Sequence, residues 1–482
     1  MPPLRLQPFI RGAFAPSAGD GVLPDLNPSD PDDVVALVPG GSPDDAARAV
    51  TAAREAQGSW RSLPGPVRAE HLFRWAGAVG DRREALAQAM AREVGKPIAE
   101  ARGEVARAEV ILRYYAGEAV RELGDVIPAQ APGALQLTLR EPLGVVACIT
   151  PWNFPLAIPL WKAAPALAFG NTVVLKPAED ASAVASLLAE TAAAAELPAG
   201  VFNVVPGGGP TVGAALIAAD GVRGVSFTGS AAVGAAVAAV CARRNVRYQT
   251  EMGGKNVVIV AADADLDRAA ALTAAGAMRY AGQKCTATSR VVAVRTVADR
   301  FLGKLKEQIE ALPLGPVTDP RAAVGPLISA RARDRVRSML AGVEAAAVVT
   351  GGGEPADDRF RKGFFFAPTV VRDVAPDAPL ATEEVFGPVL AAFAADDLEE
   401  AVTLANRSRF GLSASLFTSD LAAALYYIRR IEAGLVRVNG DTTGVDPHAP
   451  FGGFKGSSSG SREQGPAARE FYTELKTVQV HP

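Results

Sequence analysis

Residues 143–176 read LGVVACITPWNFPLAIPLWKAAPALAFGNTVVLK. Positions 143–161 are nineteen residues without a charge, long enough to span a bilayer. Yet Pro151, Pro155 and Pro159 fall within nine positions, with Asn153 among them. Three prolines would break the backbone ladder that lipid demands. The stretch therefore reads as a buried strand over 144–150, then a loop, a helix and a second strand over 172–175.

The same alternation continues downstream. Strand-like runs at 202–205, 224–227 and 247–250 are separated by Ala-rich helical stretches such as 181–195 and 210–219. Five strands with intervening helices predict a parallel, doubly wound sheet. A second series opens at 256–260 (NVVIV), and Asp265 then caps a helix ending near position 281. Its further strands are expected at 289–294, 347–349, 369–371, 390–394, 413–417 and 435–439. Upstream, Ser42-Pro43-Asp44-Asp45 opens a helix that Gly58 closes, followed by helical stretches over 66–93 and 98–120. The last thirty residues read as a loop, a short helix and a strand with no partner nearby, expected to pair with another subunit.

Composition narrows the chemistry. The chain has 482 residues, 49 Lys or Arg against 52 Asp or Glu, and a formal charge of −3. That length suggests about three domains. A near-neutral balance argues against a nucleic-acid surface. Cys148, Cys241 and Cys285 are too few for a disulfide framework, so a reducing cytoplasm is expected. With His71, His448 and His481 they form no zinc-ligand spacing. The N-terminal MPPLRLQPFIRGAF has no apolar core and does not read as a secretory signal.

Few residues remain to carry a reaction. Pro206-Gly207-Gly208-Gly209 and Thr228-Gly229-Ser230 each follow a strand and precede a helix, so they are either phosphate cradles or plain turns. Lys176 and Glu179, at another strand end, could hold a ribose. Cys285, in GQKC, has Lys284 beside it and Arg279 six residues earlier, and nearby cations favour a thiolate. Cys148 and Cys241 sit in apolar runs and read as core. With no His placed beside Cys285, a carboxylate must be considered as base. Glu251, before Gly253 and Gly254, is the candidate, with a surface acid as the alternative. Asn153 is either a satisfied core amide or a donor to an oxyanion.

Together the motifs PWNFP (151–155), KPAE (176–179), FTGS (227–230), EMGGK (251–255), GQKC (282–285), EEVFGP (383–388) and PFGGFKGS (450–457) resemble the aldehyde dehydrogenase superfamily. They occur in that family's order. The resemblance implies an aldehyde dehydrogenase-like α/β fold of two doubly wound parallel-sheet domains plus a small β oligomerisation segment. Residues 1–122 and 142–250 would form the dinucleotide-binding domain and 251–450 the catalytic domain. Segments 123–141 and 466–482 would assemble a homodimer or homotetramer.

The resemblance also assigns roles. Cys285 would attack the aldehyde, Asn153 and the Cys285 backbone N–H would hold the oxyanion, and Glu251 would activate the hydrolytic water. Thr150, Trp152, Lys176, Glu179, Gly209, Ser230, Glu384 and Phe386 would bind the cofactor. An ionised Glu179 would repel a 2′-phosphate, so NAD is expected, with NADP also allowed. The run from 450 to 477 is similar to 2-oxoglutarate semialdehyde (2,5-dioxopentanoate) dehydrogenases. Arg279 lies where related enzymes pair an Arg with a substrate carboxylate, while Trp161 replaces a second such Arg of succinate-type enzymes. The rival readings are a dehydrogenase of neutral aliphatic or aromatic aldehydes, an acylating relative, and a non-catalytic protein on the same fold.

Overall fold

The computed structural model describes residues 2–482. Its first helix, α1 (Pro43–Ser62), opens on Ser42, whose hydroxyl accepts the Asp45 N–H at 3.2 Å. The Asp45 carboxylate accepts the Ser42 N–H at 3.0 Å, so two orphan donors are satisfied reciprocally. The helix runs past Gly58, its expected end. Trp60 is buried and its indole N–H donates to Leu167 at 3.1 Å, and that packing outweighs the roughly 1 kcal/mol cost of a helical Gly. The helical stretch expected over 66–93 is broken at Arg82 into α2 (Gly65–Asp81) and α3 (Arg83–Val94). The helix α4 (Ile98–Glu118) follows.

After β1 (Leu135–Pro142), the quoted stretch folds into β2 (Val145–Ile149), α5 (Ala157–Ala168) and β3 (Thr172–Lys176). Then come α6 (Ser182–Ala194), β4 (Phe202–Val204), β5 (Val222–Thr228), α7 (Ala231–Arg243) and β6 (Arg247–Glu251). The five parallel strands lie in the order β6-β5-β2-β3-β4. The chain thus leaves β2 on one side and returns on the other, and such a switch opens a crevice at the carboxyl ends of the strands. Apolar clusters cover both faces, one around Trp75, Leu112 and Leu160, the other around Val50, Val225 and Val237. An antiparallel strand, Ser458–Ser459, extends the sheet beside β6 and sets Ser458 opposite Glu251.

The second unit contains β7 (Asn256–Val260), α8 (Leu266–Met278), β8 (Thr288–Val294), β9 (Thr369–Val371), β10 (Val389–Ala395), β11 (Ser413–Phe417) and β12 (Leu435–Val438). Its parallel order is β9-β10-β8-β7-β11-β12. Asp265 caps α8 as expected, accepting the backbone N–H groups of Asp267 and Arg268. The terminal strand β13 (Thr473–Val480) pairs antiparallel with β1 of its own chain, from Thr473 opposite Pro142 to Val480 opposite Leu135. The expectation that it lacked a partner within the chain is corrected. Among the described residues, no helix is long and apolar enough to cross a membrane.

Candidate active site

The crevice of the first sheet gathers most of the expected cofactor residues. Thr150 follows β2, its N–H donates to Lys176 O at 3.1 Å, and its buried hydroxyl has no partner. Lys176 ends β3 and lies 3.3 Å from the Glu179 carboxylate, whose other oxygen accepts the Gly209 N–H at 2.8 Å. Glu179 thus joins the end of β3 to the glycine loop that follows β4. Burial pulls the Lys176 ammonium down from its ordinary value, with Glu179 opposing. Ser230 caps α7 from an exposed position, its hydroxyl accepting the Val233 N–H.

Cys285 is half-buried, in the loop between α8 and β8. A left-handed turn precedes it: Tyr280, Ala281 and Gly282 have φ of 55°, 51° and 65°. Such backbone is costly for the two non-glycine residues and redirects the chain into the site. Asn153, buried, donates its amide to Gln283 O at 3.0 Å, two residues before the thiol. An amide carries two N–H donors, so one can still meet an oxyanion. The expected cationic support for a thiolate is not found. Lys284 pairs with Glu100 at 2.9 Å, and Arg279 is exposed at the end of α8. Burial instead pushes the Cys285 thiol up to about 12, with Glu384 and Glu251 adding to the shift.

Glu251 ends β6 and is buried. One oxygen accepts the Ser458 hydroxyl at 2.5 Å and the other has no partner. Burial, then the charge of Glu463, holds its carboxyl well above the ordinary range. Glu463 itself pairs with buried Lys162, and Ser226 and Gln249 donate to it at 3.1 and 3.2 Å. On the other side of the loop, Glu384 accepts the Gly254 N–H at 3.1 Å. It lies flat against the EMGGK glycines: a Cβ on Gly253 would come within 2.1 Å of the carboxylate. Trp152 and Phe386 meet edge-to-face at 5.6 Å.

Residues 14–478 match the model of the Aldehyde dehydrogenase family. This chain belongs to that family. It is 45% identical over 476 residues to the alpha-ketoglutaric semialdehyde dehydrogenase of Bacillus subtilis, covering 98% of each chain. It is 42% identical to the alpha-ketoglutarate semialdehyde dehydrogenase of Haloferax volcanii, again covering 98% of each. A solved NAD-dependent aldehyde dehydrogenase from Sinorhizobium meliloti superposes with a TM-score of 0.96 at 38% identity, covering 99% of this chain and 95% of that one.

For an aldehyde dehydrogenase, the crevice fits a nicotinamide dinucleotide. The buried Thr150 hydroxyl has no protein partner, the Glu179 carboxylate is held by Lys176 and Gly209, and Glu384 lies against Gly253 and Gly254. Arg279 is exposed and has no ion-pair partner among the described residues. Several functional neighbours escaped the sequence reading. Lys162 carried a signal, as the single charge in positions 143–175. Glu463 carried none, since the contact that gives it meaning spans 301 residues. Lys96, in the short link between α3 and α4, and Glu104 on α4 form a buried pair that holds the PWNFP loop, and nothing local in the sequence marked either.

Proposed function

We propose that this aldehyde dehydrogenase oxidises an acidic semialdehyde of the 2-oxoglutarate semialdehyde class to its carboxylate. The observation that carries the chemistry is the setting of Cys285, two residues beyond the Asn153 anchor and within the field of Glu251 and Glu384. The Cys285 sulfur, as thiolate, attacks the aldehyde carbon. The oxyanion then accepts hydrogen bonds from the Asn153 amide and the Cys285 N–H. A bound nicotinamide supplies the hydride acceptor. Loss of hydride converts the thiohemiacetal to a thioester on Cys285. Glu251, once ionised, takes a proton from the attacking water, and the thiolate leaves as the carboxylate product forms. A base in that place disfavours transfer to coenzyme A.

The substrate reading is supported by the names of the relatives and by the free guanidinium of Arg279, whose planar fork suits a distal carboxylate. NAD is favoured over NADP, because the Glu179 carboxylate would accept the ribose 2′-hydroxyl and repel a 2′-phosphate. A second reading, neutral aldehydes, draws on the apolar wall formed by Trp161 and Phe451, whose rings lie 5.7 Å apart. We further read the β1–β13 arm, with its exposed leucines, as the surface that assembles a homodimer or homotetramer. The domain division proposed for the chain follows its sheets, cofactor on the first and nucleophile on the second. Three free cysteines support a reducing cytoplasm.

Steady-state reduction of NAD and NADP with a panel of acidic and neutral aldehydes tests this function. Arg279→Ala is expected to raise KM for acidic semialdehydes far more than for neutral ones, with NAD the better cofactor. Equal effects on both aldehyde classes would remove the substrate reading.

A further inference from the structure

All five carbonyl oxygens from Gln283 to Ala287 are hydrogen-bonded, and just one of those bonds is local. The Ala287 N–H closes on Lys284 O at 2.9 Å. The others are met by side chains from distant segments. Asn153 donates to Gln283 O at 3.0 Å, and Asn256 donates to Cys285 O and Ala287 O, each at 2.8 Å. Thr442 donates its hydroxyl to Thr286 O at 2.7 Å. The loop needs this help because the ladder beside it slips. Asn256 opposes Thr288 while Val257 opposes Arg290, so the carbonyls before the bulge have no strand partner.

The donors are themselves fixed. The Asn256 side-chain oxygen accepts the Ser413 N–H at 3.0 Å, which commits its NH₂ to the loop. Ser413 donates its hydroxyl to Thr442 O at 2.8 Å, tying the two clamps together through β11. Asn256 is 3% and Thr442 0% exposed, so water cannot replace either donor. The fit is close: a Cβ on Gly254 would come within 2.7 Å of the Asn256 oxygen and 3.0 Å of Cys285 O.

We propose that Asn256 and Thr442 are positioning residues that set the tilt of the peptides after Cys285 and so aim its sulfur and N–H at the aldehyde. The inference rests on Cys285 being the nucleophile. Neither side chain touches the reacting atoms, and both act through the loop carbonyls. A misplacement of about 1 Å in such a site can cost about 10²-fold in rate.

The test compares Thr442→Val, Thr442→Ser, Asn256→Asp and Cys285→Ala in the full-length protein. Thr442→Val is nearly isosteric and removes one donor, and Thr442→Ser restores it. Asn256→Asp replaces the two-carbonyl donor with an acceptor. We expect Thr442→Val and Asn256→Asp to lower kcat about 10²-fold, with KM for NAD unchanged. The same variants should alkylate more slowly at Cys285 with iodoacetamide in the absence of cofactor. Thr442→Ser should recover both rates. Wild-type kcat in Thr442→Val and Asn256→Asp, or no recovery in Thr442→Ser, would overturn the proposal. Cys285→Ala separates the two claims. If it keeps full activity, the nucleophile assignment fails; if it is inactive while the clamp variants are normal, the positioning role alone fails.

Discussion

On the proposed mechanism Glu251 and Cys285 must both lose a proton before they act, and burial opposes that loss in each. Burial raises each, and for Glu251 the neighbouring Glu463 adds to the effect while Lys162 opposes it. The rate should therefore climb as pH rises from neutral into the alkaline range. Removing the like charge with Glu463→Gln should move that rise to lower pH. Removing the cation with Lys162→Met should move it to higher pH. Profiles of kcat/KM against pH for the three proteins check the signs, and unmoved profiles would contradict them. At this scale motif order drew attention to Cys285, Glu251 and Asn153, which the fold brings close together. The reason given for a reactive thiol did not hold. Lys284 is adjacent in sequence, yet its ammonium is spent on Glu100, and adjacency says nothing about where a long side chain points.

The junction of α3 and α4 governs the loop that carries Asn153. Lys96 donates to Asn153 O at 2.7 Å and lies 4.0 Å from the Phe154 ring centroid. Its partner Glu104 accepts the N–H groups of Leu156 and Ala157 at 3.0 and 2.9 Å, satisfying the start of α5. Glu104→Gln keeps the shape and strands a buried ammonium, so it should cost about 3–5 kcal/mol of stability. A clear fall in the thermal unfolding midpoint, together with reduced kcat, is expected; an unchanged midpoint would show the pair to be dispensable. Element boundaries were legible where local pattern and packing agreed, as for the strands at 256–260, 369–371 and 413–417. They were misjudged where packing won. Gly58 reads as a stop, but Trp60 has a buried place to fill two residues later.

Across the whole molecule, the first sheet delivers Glu251 at the end of β6 and the second delivers Cys285 just before β8. The two-unit alternation was visible in the sequence because each βα repeat is local. The β1–β13 pairing was not, since it joins residues more than three hundred positions apart. On that arm Leu135 and Val480 lie directly opposite each other, with Leu139 further along β1, and all three are exposed. Facing apolar side chains of this kind suit burial against another copy of the chain. Leu135→Lys combined with Val480→Lys should sediment as a smaller species than the wild type with its circular dichroism intact. Identical sedimentation would place the contact elsewhere.

The division of labour between one thiol and one carboxylate is tested most directly by single-turnover kinetics of Glu251→Gln with NAD and a semialdehyde. A glutamine cannot take the proton from water, so the thioester should persist. One reduced nicotinamide per active site is expected, then arrest, with the acyl mass found on the peptide containing Cys285. Sustained turnover, or an acyl group on Cys148 or Cys241, would contradict that division.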